Sequence, residues 1–332
     1  MEKDYLEPFS FQTEDIAEVQ LFLTPGQMIL RRFMGNKLAV LGATVLFIVA
    51  VLCFAAPLFY PYNQTEQFYT DKTTGEELRT FQTEQISTAV LKSLEKPSLN
   101  HLLGTNKMGQ DMLSRLMYGG RISLLVGFVV VIVELLLGVI LGGAAGYYGG
   151  LPNAVIMRLV DIISSIPFMP LMFILASLEI NLNISPKYKI YYTMFMIGLI
   201  WWTGAARMVR ATILSLRETE FMQAADAVGI KTRNKIFRHL IPNTLPNLIV
   251  MATLDLGSVI LMESTMSYLG VGVGAPYASW GNMVQVVNDN VIMRDYVNLW
   301  LTPGLCILVV VLAFNFVGDG LRDATDPRMK GR

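Results

Sequence analysis

The chain has 332 residues, 53% of them apolar, and only 16% are charged, where soluble domains carry about 25%. Formal net charge is zero, so no global electrostatic attraction points to nucleic acid or to acidic lipid. An ordinary soluble domain is excluded, and an integral membrane protein is indicated.

Residues 1-20 are acidic and polar, lack the features of a cleavable signal, and read as a loose tail. Next comes TPGQMILRRFMGNK, with Thr24 as N-cap, Pro25 at the first helical position, and Ile29, Leu30, Phe33 and Met34 sharing a face. Arg31, Arg32 and Lys37 flank that face. The pattern predicts an interfacial helix within 1-37, or else the entry to the first spanning helix.

Six segments are long enough to cross an apolar core of about 30 Å: 38-60, 122-146, 154-178, 191-214, 245-269 and 297-318. Unpaired backbone is not tolerated in lipid, so at these lengths the expected fold is all-α, with six transmembrane helices. With the N-terminus inside, segments 1-37, 147-158, 207-243 and 319-332 hold 4, 1, 7 and 4 basic residues. The outer segments 61-121, 179-190 and 270-296 hold 7, 2 and 1, the largest number being diluted over a long loop. The bias favours both termini on the cytoplasmic side. Cys53 and Cys306 lie in apolar segments without metal-ligand spacing and read as small core residues.

The outer segment 61-121 divides in two. Its first part, rich in Thr, Glu and Gln, suggests a helix near Phe81-Glu95 within a small cap. In the second, Gly104 and Gly109 mark turns, and Asp111 starts a helix whose Met112, Leu113, Leu116 and Met117 share a face. That helix is expected to lie along the outer surface before the second span begins.

Within the spans, small residues concentrate in LGVILGGAAGYYGG and around Gly198 and Gly204, where helices can approach closely. Pro167 and Pro170 bend the third span, and Ser164 and Ser165 are placed to satisfy the freed carbonyls. Glu134, Asp255 and Glu263 sit at depth. Each costs about 3 kcal/mol at mid-membrane and should face a protein interior or a wet cavity. Asp255 and Glu263 are candidates for lining a pathway, against the alternative of a helix-helix lock, which is the preferred reading for Glu134.

Between spans four and five, residues 215-243 form a polar loop longer than neighbouring antiparallel spans need. Thr219 is placed to cap a helix carrying Phe221, Ala224, Ala225 and Val228 as an apolar stripe, and Gly229 stops it. Thr232 is placed to cap a second helix, with Ile236, Phe237, Leu240 and Ile241 opposite Arg233, Lys235 and Arg238, until Pro242 ends it. Two short helices with apolar anchors and no catalytic group make a docking element for a cytoplasmic partner.

The stretch QAADAVGIKTRNKIFRHLIP, residues 223-242, resembles the EAA signature of the membrane subunits of binding-protein-dependent ABC importers. Gln223 stands where that family usually has Glu. The resemblance continues in FMGNKLAVLG, HLLGTNKMGQDMLSRLMYGGRISLLVG, GYYGGLPNAVIMRLVDIISSIP, SYLGVG, SWGNM and LAFNFVGDGLRDATDPR. It points to the second, C-type permease of the dipeptide/oligopeptide/nickel subfamily, with 63-98 as an insertion.

The resemblance implies a second homologous permease, two cytoplasmic ATPases and an extracytoplasmic solute-binding protein as partners, in the cell membrane of a prokaryote. It makes 220-228 the coupling helix and assigns ATPase coupling to Phe221, Gln223, Ala224, Ala225, Asp226, Gly229, His239 and Pro242. No GxxxxGK[ST] phosphate loop occurs, so ATP and Mg are expected on partner subunits and no cofactor on this chain. Peptides are the expected solute, with nickel or another small solute as alternative. A stand-alone ion-coupled carrier using Glu134, Asp255 and Glu263 is less consistent with the long inner loop. An intramembrane hydrolase is disfavoured, because His101 and His239 fall on opposite sides of the expected membrane.

Overall fold

The computed structural model describes residues 24-79, 89-182 and 184-325. Helix α1 (Pro25–Gly35) starts in a capping box: Thr24 Oγ accepts the Gln27 N–H, and Gln27 Oε1 accepts the Thr24 N–H. Asn36 breaks the helix and caps α2 (Lys37–Phe54) through the Leu38 and Ala39 amides. The short α3 (Ala56–Phe59) extends this first apolar rod.

The segment that follows departs from the all-α expectation. Strands β1 (Phe68–Asp71), β2 (Glu77–Arg79) and β3 (Ala89–Leu91) form an antiparallel sheet in the order β2-β1-β3. Tyr69 pairs with Leu78 on one side and Leu91 on the other. The helix expected near Phe81-Glu95 is absent from its described part, where Ala89–Leu91 are a strand and a turn follows at 93-94. Residues 80-88 lie outside the described residues. Local helix propensity yields because β1 offers a free edge whose amides need partners.

Helix α4 (Met112–Leu137) continues through a π-turn, Gly138–Gly142, into α5 (Gly143–Tyr148), one apolar rod of 37 residues. The separate surface helix expected over 112-117 is thus the first turns of this rod. Asp111 caps it as predicted, its Oδ2 accepting the Ser114 N–H at 2.7 Å. Gly119 and Gly120 do not break it, because they are contact points: Gly120 lies against the Trp280 ring, where a side chain would collide.

The third expected span is broken rather than bent. Helices α6 (Gly150–Ser165) and α7 (Phe168–Asn181) meet at 86°. Ile166, preceding Pro167, is extended at φ −81°, ψ 124°, the conformation a following proline imposes. Pro170 falls in the first turn of α7, where its missing N–H leaves no bond unmade. Ser165 Oγ donates to Ile162 O, and Ser164 Oγ instead accepts from Arg207.

Helix α8 (Pro186–Arg217) has 32 residues. After it come α9 (Glu220–Ala227), α10 (Thr232–Asn234), a π-turn at Lys235–Leu240, and α11 (Ile241–Tyr268). Helices α12 (Trp280–Val284) and α13 (Asn290–Asp295) lead to α14 (Val297–Thr325). Against the expectation of six spans, four rods among the described residues are long and apolar enough to cross a membrane: 37-59, 112-148, 232-268 and 297-325. The broken α6-α7 pair makes five. Helix α8 has the length, but Lys189, Arg207, Arg210 and Arg217 dilute its apolarity.

The core lies where α4, α8, α11 and α14 cross, around Val126, Val130, Ile197, Val259, Ile260 and Phe314. Small residues permit those crossings. A side chain at Gly142 would strike the Ala206 backbone of α8, and one at Gly320 of α14 would strike Ala39 of α2.

Candidate functional site

Two features stand apart from the packed core. One is the 218-243 loop at one end of the helical body, and the other is a set of buried carboxyls within it.

The loop begins at Thr219, whose extended backbone starts α9. Its hydroxyl does not cap the helix as expected but donates to Leu216 O, tying the loop to the end of α8. The stripe expected on α9 divides. Met222, 2% exposed, packs with Val209, Ile213, Leu240 and Leu248, and Ala225 is also turned inward. Phe221 (43% exposed), Ala224 and Val228 (81%) face outward. An eight-residue helix spans little more than two turns, so only one edge can lie against the body, and Met222 takes it by bulk.

Gly229 ends α9 at φ +74°. Its N–H donates to Asp226 O and that of Ile230 to Ala225 O, both at 3.0 Å, satisfying carbonyls the helix would leave free. Gln223 Nε2 donates to Glu218 O at 3.3 Å, a bond that the family's usual carboxylate could not make. Asp226 pairs with Lys235 across the turn.

The second loop helix does not stop at Pro242. It continues as a single 37-residue rod, Thr232–Tyr268. Thr232 is its first residue rather than its cap, Lys231 holding that place without a side-chain bond. The π-turn just before Pro242 widens the coil, relieving the clash a proline ring makes with the carbonyl four residues earlier. His239 lies on this turn half-buried, and its carbonyl accepts from Asn243 Nδ2 at 2.6 Å. Phe237 is 63% exposed, so this helix too directs an aromatic ring away from the body.

Sequence reasoning missed the clamp on the loop. Arg217 Nη1 donates to Tyr147 O (2.8 Å) and Gly146 O (3.3 Å), and Tyr147 Oη reaches Thr232 Oγ1 at 3.4 Å. The α5-α6 corner thus touches the residue that leads into the loop and the first residue of the loop's second helix. The local signal is the pair of tyrosines in GYYGG, a stretch that reads in sequence as small-residue packing and as part of the family resemblance.

The three carboxyls fall into two settings. Glu263 is fully buried and accepts from Ser123 Oγ (3.0 Å) on α4 and Ser267 Oγ (2.7 Å). Ser279 Oγ joins Ser267 at 3.3 Å, and the Trp280 N–H reaches Ser123 Oγ. The arrangement locks α4, α11 and the start of α12 together. Glu134 of α4 and Asp255 of α11 instead stand beside each other, lining a cavity of about 360 Å³ at the α6-α7 break. Glu134 and Asp255, weighed separately in the sequence, are one site, whereas Glu263 is away from it. No group of three or more potential metal ligands occurs among the described residues.

With this geometry in view, comparisons with known proteins bear on the whole chain. Residues 135-331 match the family model described as binding-protein-dependent transport system inner membrane component. Residues 24-77 match the N-terminal TM domain of oligopeptide transport permease C. The chain is 35% identical over 297 residues to a putative peptide permease protein of Brucella suis, covering 90% of this chain and 89% of that protein. It is 34% identical to the oligopeptide transport system permease protein OppC of Haemophilus influenzae, covering 90% and 87%. It is 32% identical to the dipeptide transport system permease protein DppC of Bacillus subtilis, covering 90% and 85%. Among solved structures, a chain of the inward-facing MetNI methionine ABC transporter is similar with TM-score 0.49 and 22% identity, covering 65% of this chain and 98% of that one. The chain therefore belongs to the family of binding-protein-dependent transport system inner membrane components, as a multi-pass ABC permease subunit.

Proposed function

We propose that this chain is the C-type permease of an ATP-driven importer that carries oligopeptides or dipeptides across the cell membrane. It pairs with a second, homologous permease to form the pathway, sits on two ATPase subunits that carry ATP and Mg, and receives solute from an extracytoplasmic binding protein. In this reading α8 and the α6-α7 pair complete six membrane crossings, both termini and the 218-243 loop are cytoplasmic, and the β-sheet lies outside.

The observation that carries the reading is α9. A short helix at the end of the body, halted by Gly229, holds Met222 inward and turns Phe221, Ala224 and Val228 outward. Apolar residues so displayed are the recognition face of a helix that enters a groove on another protein. The ion pair between Asp226 and Lys235 joins α9 to the π-turn that leads into α11, and Thr219 ties the start of α9 to the end of α8. The bonds of Arg217 in turn join that end of α8 to the α5-α6 corner. Displacement of α9 would therefore be passed to the spans as a rigid-body movement. The relatives named as oligopeptide and dipeptide permeases support the solute class.

The test is reconstitution of the chain with the permease, ATPases and binding protein of its own system in proteoliposomes. ATP-dependent accumulation of a labelled peptide is expected. Accumulation that needs no ATPase subunits, or that follows an imposed proton gradient alone, would refute the reading in favour of an ion-coupled carrier.

A further inference from the structure

The Glu134–Asp255 pair has no structural use of the kind that explains Glu263. Glu134 is 1% exposed, yet among the described residues no other side chain or backbone group donates to either of its oxygens or to Asp255 Oδ2, so the two carboxyls have only each other, through a shared proton. Both side chains line the cavity at the α6-α7 break. Two adjacent carboxyls inside a membrane protein that can share only a proton are costly to ionise together, and the natural complement of the ionised pair is a positive charge placed between them.

The rest of the wall has the same electrostatic sense. Ile163, Ser164 and Ile166 bring the carbonyl end of the 16-residue α6 to the cavity, and a helix C-terminus carries partial negative charge. Phe168 and Trp201, packed edge to face with centroids 5.8 Å apart, supply aromatic surface of the kind that attracts cations. Among the described residues no cation reaches the pair. Arg207, one turn beyond the cavity-lining Thr203, donates to Asp161 and Ser164 rather than to the carboxyl pair. Glu263, two turns along α11, is held by its serines.

We propose that this cavity is a binding subsite for a primary ammonium group carried by the transported solute; this rests on the importer reading above. Two carboxyls are too few for calcium, which takes six to eight oxygens, whereas an ammonium group has three donors to share between them. A volume of about 360 Å³ admits the ammonium with a few attached carbons, within the usual range of small-molecule sites.

The test uses the assembled transporter without its solute-binding protein, treated with a membrane-soluble carbodiimide. Modification of Glu134 and Asp255 is followed by peptide mass spectrometry. Saturating n-butylammonium chloride is expected to slow modification at least about fivefold, by analogy with ligand protection of a preformed site. Equimolar n-butanol and sodium chloride should leave it unchanged. An unchanged rate, equal protection by n-butanol, or protection by calcium chloride but not n-butylammonium would overturn the subsite.

The second readout is inhibition of ATP-driven peptide uptake by n-butylammonium in the full system. Asp255→Asn and Glu134→Gln should each raise the half-inhibitory concentration at least about fivefold, a loss of roughly 1 kcal/mol of binding. This readout decides the matter if neither carboxyl reacts with carbodiimide: equal inhibition of variant and unmodified transporter overturns the proposal. Failure of all ATP-driven uptake would strike the importer reading, whereas intact uptake indifferent to the cation and to both substitutions strikes the subsite alone.

Discussion

The two ends of the helical body are finished differently. At the sheet end, polar groups are tied to one another within the chain, with His101 Nε2 left as a buried nitrogen without a hydrogen bond. His101 is fully buried, its Nδ1 2.9 Å from Asp111 Oδ1 and its Nε2 only within 3.5 Å of Glu77 Oε2, and Asp111 also accepts from Tyr60 Oη and the Ser114 amide. Arg115 donates to Gln64 O, Gln110 Oε1 and Pro276 O, joining the sheet region to the loop after α11. Tyr62 and Phe68 close over the His101 ring. At the loop end, Phe221, Val228 and Phe237 remain open on a polar segment. The contrast separates an end that completes itself, through buried polar groups that are costly to disturb, from one that requires another protein to cover it.

Asp111 is the residue on which most of the sheet end depends. Asp111→Ala removes the acceptor for the His101 ring, the Tyr60 hydroxyl and a helix amide at once. It should cost about 3 kcal/mol or more, seen as a large fall in thermal midpoint of the purified chain. A midpoint within a degree of the unsubstituted protein would show that the sheet end is not held from within.

Next is Gly229→Val. A β-branched residue at φ +74° is strained by about 1–2 kcal/mol, but a Cβ there meets no neighbouring atom within 4 Å. Membrane insertion should persist while ATP hydrolysis no longer drives uptake. Normal coupled transport in the assembled complex would refute the docking role of α9. Ala225, although on the predicted stripe, is a poorer probe, since a bulky residue there would disturb this chain's own packing.

Val228→Asp sharpens the contrast by sparing the fold. Because Val228 is 81% exposed, the isolated chain should change by less than about 0.5 kcal/mol, whereas co-purification with the ATPase subunits should fall severalfold. Retained co-purification would argue against this edge as the contact.

The smallest effect is in pH. Burial raises the Glu77 carboxyl, but the bond and charge of Lys92 and the neighbouring His101 outweigh it and hold the group below its ordinary value. A lowered folded value means that the stabilisation is present above the ordinary carboxylate range and is lost as pH falls through the depressed value. Protection of the β2 amides, the exchange rate relative to its intrinsic value at each pH, should therefore fall at acidic pH, and Glu77→Gln should remove that acid dependence while leaving protection in α9 unchanged. An acid response that survives in the variant would assign it to another group.

Much of the loop was legible because its signals are local. Gly229, the apolar spacing on α9 and the position between two apolar segments all act within a few residues. What was not legible there depends on neighbours. Ala225 turns inward because Met222 finds a pocket between α8 and α11, and Pro242 lies within a rod because a π-turn makes room for it. The sheet was illegible for the same reason: Ala89, Val90 and Leu91 are ordinary helix material until β1 offers them an edge.

Composition and apolar run length alone established a membrane protein, since the cost of burying backbone and charge in lipid admits few alternatives. The motif spacing, with its resemblance, placed the docking element. Neither could pair Glu134 with Asp255 or separate them from Glu263. Those residues are ionisable groups of the same kind in similarly apolar runs, and what each one does depends on the partner that a crossing helix brings. Three serines brought close to one carboxyl make a lock, and a second carboxyl beside a broken helix makes an open cavity.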